Sequence, residues 1–177
     1  MSKFEDFIKF LDENDIWEDS KTVVRHEFIK QEGQQDTNIY FIVEGCLRLF
    51  ILDDEYEHTI RFGYQNNIVT ALDSYISEQP SDLCIQAIRK TTVKIISKRK
   101  FRSLVDQSTE LKNVWTELLE LLVYQQLERE KDILIQSPVK RYKRVLARSP
   151  QLFQEVPHKY IASYLRMTPE TLSRLKE

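Results

Sequence analysis

HKYIASYL (residues 158–165), RMT (166–168) and PETLSRLKE (169–177) end the sequence, and their reading decides the rest. Ile161 and Leu165 stand four residues apart with small Ala162 beside them, one apolar helical face that allows close approach. Pro157 suits a first helical position, where its missing N–H costs nothing. Thr168 is a natural N-cap, and Pro169 follows it at another first position. Leu172 and Leu175 then turn toward Ile161 and Leu165. That leaves Glu170, Ser173, Arg174 and Glu177 outward, with Thr171 and Lys176 on the flanks. Two short helices joined by a tight turn are the outline of a helix-turn-helix, which lays its second helix in the DNA major groove. Arg pairs with guanine O6/N7 and Glu accepts from cytosine N4. Thr168 and Thr171 can reach phosphates beside the helix N-terminus. The candidate DNA contacts are therefore Thr168, Glu170, Thr171, Ser173, Arg174 and Lys176. The same periodicity also fits a helical hairpin that packs only on its own domain.

Charge favours the first reading. Residues 138–177 hold nine Lys and Arg (140, 141, 143, 144, 148, 159, 166, 174 and 176) against three acids (155, 170 and 177), a net of +6. The whole chain is −2, which leaves −8 for residues 1–137. A basic end facing a polyanion and an acidic body avoiding it produce this asymmetry. A solvated charged face produces it too.

At 177 residues, 41% hydrophobic and 31% charged, with mean hydropathy −0.46, the chain can bury a true core and stay in water. No apolar run approaches the roughly 20 residues that span a bilayer, so no membrane partner is expected. Met1 to Leu11 carries acids and no apolar core, unlike a secretory signal. Two cysteines, Cys46 and Cys84, form no disulfide framework and fit a reducing, cytoplasmic setting.

Upstream, residues 2–14 read as an amphipathic helix with Phe4, Phe7, Ile8 and Leu11 on one stripe. From Val23 to Ile96 the character is β. Ile39 to Val43 precede a turn at Glu44-Gly45, and then Leu47, Leu49 and Ile51 alternate against Arg48 and Phe50. A turn at Asp53 to Glu55 follows. Ile60 and Phe62 alternate with Thr59 and Arg61, and Ile85, Ala87, Val93 and Ile95 mark later strands. Short strands at this spacing indicate an antiparallel sandwich or roll. Ser97 caps a short helix through Leu104. A long helix then spans about 109–135, with Leu111, Trp115, Leu118 and Leu122 at three- and four-residue steps. Such a seam suits a second chain, or the core-facing side of a monomer. Ser137-Pro138 forms a hinge-like boundary. Residues 139–149 form a basic helix with Val139, Tyr142, Val145 and Leu146 inward, and a loop surrounds Pro150.

Roll, long helix, basic helix and helix-turn-helix, in this order, resemble the Crp/Fnr family of transcription regulators. The resemblance rests on IYFIVEG (39–45), similar to the family's strand-to-glycine turn, and on VPHKYIASYL (156–165) with TPETLSRL (168–175). Glu170, Thr171 and Arg174 resemble the Glu-Thr-x-x-Arg signature of its recognition helix. Residues 97–104 are similar to the helix that follows its roll. The resemblance implies an α+β chain. Residues 1–105 would be an antiparallel double-stranded β-helix, jelly-roll-like, acting as a sensor. Residues 106–137 would be a dimerisation helix, and 138–177 a helix-turn-helix domain without the family's β-hairpin wing. It also implies a cytoplasmic homodimer on two-fold symmetric double-stranded DNA, with recognition helices ~34 Å apart.

One departure bears on the effector. Nucleotide-binding members hold the cyclic phosphate with a Gly-Glu pair and, about ten residues on, an Arg followed by Ser or Thr. Residues 69–83 have no glycine, no arginine and no glutamate at that start. A phosphate needs closely approaching N–H groups and a cation, and Asp82 would repel it. Thr70, Ala71, Leu72, Ser81 and Asp82 line the candidate effector segment. The expected effector is an unknown small molecule or none, and not cAMP.

Other chemistries fail. Cupin-type metal binding wants about three His and a carboxylate converging, and the roll offers only His26 and His58. Iron–sulfur ligation wants about four cysteines. His26, His58 or Cys84 would be the ligands open to haem. No Gly-rich phosphate loop, Ser/His/Asp order or CxxC is present. Neither a catalytic residue, a metal nor a cofactor is expected, and the chain is read as a regulator and not an enzyme. The alternative function is a stand-alone ligand-binding or dimerisation module that no longer reads DNA.

Overall fold

The computed structural model describes residues 3–13 and 16–175. Helix α1 (Lys3–Glu13) buries Phe7, Ile8 and Leu11. The expected stripe member Phe4 lies outside the described side chains, and Ser2 and Asn14 lie outside the described residues. The strands are β1 (Asp19–Val23), β2 (Phe28–Lys30), β3 (Ile39–Glu44), β4 (Cys46–Asp53), β5 (Tyr56–Tyr64), β6 (Ile68–Val69), β7 (Cys84–Ala87) and β8 (Thr91–Ile96). A short helix, α2 (Leu72–Ser77), interrupts them after β6. They form two antiparallel sheets, ordered β1-β8-β3-β6 and β2-β7-β4-β5. Val23, Ile42, Leu47, Leu49, Ile85 and Val93 pack within the roll. The roll is the α+β architecture expected above.

The β3–β4 turn depends on Gly45, with φ +104. A Cβ there would lie 2.4 Å from Thr91 Oγ1 and 2.6 Å from Lys90 O, so no other residue fits. Both faces of β4 are then buried. Leu47 and Leu49 join the roll interior, while Cys46, Arg48 and Phe50 are also buried on the opposite parity.

Helix α3 (Lys98–Asp106) begins at Ser97, whose Oγ accepts the Lys100 N–H at 3.4 Å. Helix α4 (Thr109–Leu134) follows a Ser108 cap. Leu111 is buried, and Trp115 and Leu118 pack with it against Phe7, Tyr75, Ile96 and Phe101. Trp115 and Phe101 meet edge to face at 4.9 Å. Of the two readings open for this seam, its first three members follow the core-facing one and pack on the chain's own roll. The apolar residues that α4 exposes are others: Leu121, Val123, Tyr124, Leu127, Ile133 and Leu134.

The remaining helices are α5 (Pro138–Arg148), α6 (Pro150–Glu155), α7 (His158–Tyr164) and α8 (Pro169–Arg174). Three details differ from the sequence reading. Pro150 starts a helix where a loop was expected, because proline at the first position needs no N–H partner. Pro157 is the residue before α7, not its first turn. In α5, Val139 is 44% exposed while Arg141 is buried at 7%. Arg141 faces inward because its guanidinium finds carbonyls there, Ile135 O at 2.7 Å and Arg166 O at 3.2 Å. A third core, containing Val145, Leu152, Tyr160, Ile161, Leu165 and Leu172, continues into Cys46, Phe62 and Ile88 of the roll. The tip therefore rests on the sheet that contains β4 and β5.

Candidate nucleic-acid interface

Helices α7 and α8 meet through a turn at Arg166, whose φ is +53. Its carbonyl is held by Arg141, and Met167 N–H donates to Ala162 O at 3.1 Å. Thr168 caps α8: its Oγ accepts the Thr171 N–H at 3.2 Å, and the two threonine hydroxyls are 3.1 Å apart. Leu172 is fully buried and anchors α8, with Leu165 and Ile161 beneath. Thr168, Glu170, Ser173 and Arg174 are exposed, and Thr171 is half-buried. Leu175 ends the helix, while Lys176 and Glu177 lie outside the described residues. Hydrogen bonds from its own backbone N–H and from Thr168, with Arg174 nearby, hold the Glu170 carboxyl below the usual carboxylate range. The exposed side of α8 thus presents an anionic acceptor, a hydroxyl and a guanidinium.

Much of the tip's positive charge is engaged within the chain. Arg144 Nε donates to Asp132 Oδ1 at 2.8 Å and its Nη2 to Glu128 Oε2 at 2.5 Å. Arg148 also donates to Asp132. Asp132 is 1% exposed, so α4 offers these arginines a buried carboxylate. Arg166 Nη1 lies 2.9 Å from His58 Nδ1. Arginine has only donors, so this nitrogen is the acceptor. The charge count of residues 138–177 included all of these cations. Lys140, Lys143, Lys159 and Arg174 are exposed.

The contact between tip and roll centres on Arg48, which the sequence reading did not single out. Its guanidinium lies between the Phe50 and Tyr160 rings. Ser163 Oγ donates to Glu57 O at 2.6 Å and accepts the Thr59 N–H at 2.9 Å. Arg129 of α4 donates to Thr59 O and stacks over Tyr164. The signal in the sequence was one arginine on a strand face shared with Cys46 and Phe50.

The candidate effector segment is tightly bonded. Thr70 Oγ1 donates to Asn38 O at 2.8 Å. Ala71 is fully buried, Leu72 opens α2 half-buried, and Ser81 is 3% exposed. Asp82 is exposed. The N–H groups of Ser74, Gln79, Ser81 and Leu83 already have acceptors, in Asp73 Oδ1, Ser77 Oγ, Gln34 O and Ser81 Oγ. Lys30 Nζ reaches the carbonyls of Ser81 and Leu83.

Cys46 and Cys84 are buried free thiols, and burial pushes the Cys46 pKa up to about 12. Among the described residues no group of three or more His, Cys, Asp or Glu is placed to hold a metal ion. No described helix is long and apolar enough to cross a membrane.

The Cyclic nucleotide-binding domain family matches residues 20–108, half of the chain. No curated protein matches the chain in sequence. Among solved structures, FixK2 from Bradyrhizobium japonicum is similar at 16% identity and TM-score 0.74, over 89% of this chain and 82% of that one. A CooA variant from Carboxydothermus hydrogenoformans is similar at 15% identity and TM-score 0.76, over 96% and 81%. A crp/fnr-family protein from Eubacterium rectale is similar at 20% identity and TM-score 0.67, over 89% and 76%. The chain belongs to the cyclic nucleotide-binding domain family, and its roll and helices follow the fold of the Crp/Fnr regulators.

Proposed function

We propose that the chain is a homodimeric DNA-binding transcription regulator of the Crp/Fnr type, and not an enzyme. Residues 138–177 form the helix-turn-helix that reads double-stranded DNA, 106–137 the dimerisation helix, and 1–105 the sensor. The observation that carries this reading is α8. Leu172 fixes it in the core while Glu170, Ser173 and Arg174 stay exposed on the outer side. The exposed Leu121, Tyr124 and Leu127 support pairing of α4 with a second copy. The sensor does not hold a cyclic nucleotide in the usual way. Four N–H groups between residues 74 and 83 already have acceptors, and the segment lacks the arginine a phosphate would pair with.

Selection of genomic DNA fragments by the chain, followed by binding measured against salt, tests the proposal. One enriched two-fold symmetric sequence is expected, with log affinity falling by about 0.9 per phosphate neutralised for each decade of salt. A binding or dimerisation module that no longer reads DNA is the second reading. It is favoured by the engagement of Arg144, Arg148 and Arg166 within the chain. That module would enrich no sequence, and the regulator reading would then fall.

A further inference from the structure

Lys30 ends β2 inside the molecule, with 1% of the residue exposed. A buried charge is strongly unfavourable unless it is paired and hydrogen-bonded. An ammonium carries three donors and no acceptor. Three carbonyl oxygens meet Lys30 Nζ: Gln31 O at 3.0 Å, Ser81 O at 2.9 Å and Leu83 O at 2.5 Å. Every donor thus has a partner. Burial pulls the ammonium pKa below the ordinary lysine value, and Asp73, Cys84, Asp36 and Asp82 push it back up.

The surrounding bonds fasten the same segment. Ser81 donates its N–H to Gln34 O at 3.2 Å and accepts the Gly33 N–H at 3.0 Å. Ser74 Oγ donates to Gln79 O at 2.7 Å and accepts the Asp36 N–H at 2.9 Å. Asp36 in turn accepts the Tyr40 hydroxyl at 2.6 Å. Converging carbonyls turn the negative ends of their dipoles to one point. They favour a cation there and repel phosphate or carboxylate.

We propose that Gln31, Ser81 and Leu83 form a primary-ammonium site that the chain fills with its own Lys30, so that the effector segment keeps one shape without an external ligand. This rests on reading residues 1–105 as the sensor. The roll is then a fixed support for the tip, because Lys30 already occupies the three carbonyls.

The test uses hydrogen exchange and chemical labelling of the whole chain, without DNA. Lys30→Ala deletes the outline of propylammonium. Exchange at Ser81 and Leu83 is expected to speed up by about tenfold or more. Millimolar n-propylammonium should restore it, and n-propanol should not. Lys30→Met keeps the volume and loses the donors; its exchange should also speed up, and n-propylammonium should not restore it. In the unaltered chain, acylation of Lys30 should run about 100-fold slower than that of exposed Lys90. Equal acylation rates, unchanged exchange in both variants, or equal rescue by n-propanol would each overturn the proposal. If Lys30→Ala does not fold, Lys30→Met and the acylation ratio decide. A failed DNA selection alters none of these readouts, and their failure leaves DNA reading standing.

Discussion

The guanidinium carbon of Arg48 lies 4.1 Å from the ring centre of Tyr160, so a strand of the roll and the first helix of the two-helix tip meet face to face. On its other side Arg48 stacks 3.8 Å from Phe50. Gln86 Oε1 accepts from its Nη2 at 3.0 Å, and Glu57 Oε2 lies 2.7 Å from its Nη1. A side chain only 1% exposed thus touches roll and tip together. The pose of α8 is coupled to the roll through this joint, because α7 carries both Tyr160 and the turn into α8.

Arg48→Ala should therefore loosen the tip before it unfolds the roll. A desolvated cation–π contact contributes about 2 kcal/mol and a hydrogen bond from a charged group about 1.5–3. A loss of about 3 kcal/mol is expected in denaturant unfolding, with faster proteolysis around residues 135–138. Arg48→Lys should recover only part of this, since a point charge cannot stack between two rings. Unchanged proteolysis would mean that the tip is held elsewhere.

Asp132 makes the second joint, between α4 and α5. Its buried carboxylate takes Arg144 and Arg148 together. Asp132→Asn keeps the shape and removes the charge. Breaking a buried pair costs about 3–5 kcal/mol, and less here because both arginines are partly solvated, so about 2 kcal/mol is expected by urea unfolding. Glu110→Gln, in the exposed first turn of α4, should change stability by under about 0.5 kcal/mol.

What the sequence made legible was local. Ser97 and Thr168 were readable as caps because an N-cap depends on residues within one turn. Gly45 was readable as a turn between two apolar runs. Periodicity marked Leu111, Trp115 and Leu118 as an apolar face but could not say what covers it, and Phe101 and Tyr75 do. The engagement of Arg144, Arg148 and Arg166 was not legible because Asp132, Glu128 and His58, their partners, lie 12 or more residues away in sequence. Lys30 was invisible for the same reason: its carbonyl partners on Ser81 and Leu83 come from a distant segment.

Packing of that seam's first members on the roll moves the proposed dimer contact further along α4. Leu127 is 50% exposed on α4, while Leu118 packs on the roll. Leu127→Glu should raise the dimer dissociation constant by about 100-fold or more, because two-fold symmetry introduces the charge twice. Sedimentation should then show a folded monomer. Leu118→Glu should instead destabilise the roll itself.

Acid should loosen the joint between roll and α6. Arg89 Nη2 donates to Glu155 Oε2 at 2.5 Å, and this bond first, then Gln151, holds the Glu155 carboxyl below its ordinary value of 4.5. A carboxyl lowered in the folded state releases its proton more readily there. Its stabilisation is full above about pH 4.5 and is lost as pH falls through the lower, folded value. Denaturant midpoints measured from pH 6 to pH 3 should fall at the acid end. Arg89→Gln should flatten that fall, and an identical slope in the variant would remove Glu155 from the account.

Arg174 and Lys159 separate base reading from mere attraction to a polyanion. Both are exposed on the tip, but Arg174 lies on α8 four residues from Glu170, whereas Lys159 lies on the first turn of α7. Arg174→Ala should cost about 1–3 kcal/mol on the selected DNA site and little on random duplex, since a guanidinium paired with guanine distinguishes bases. Lys159→Ala should weaken both duplexes alike and reduce the salt slope by about one, as the loss of one phosphate contact requires. Equal weakening of both duplexes by Arg174→Ala would make α8 a phosphate-binding helix and move sequence reading to another part of the tip.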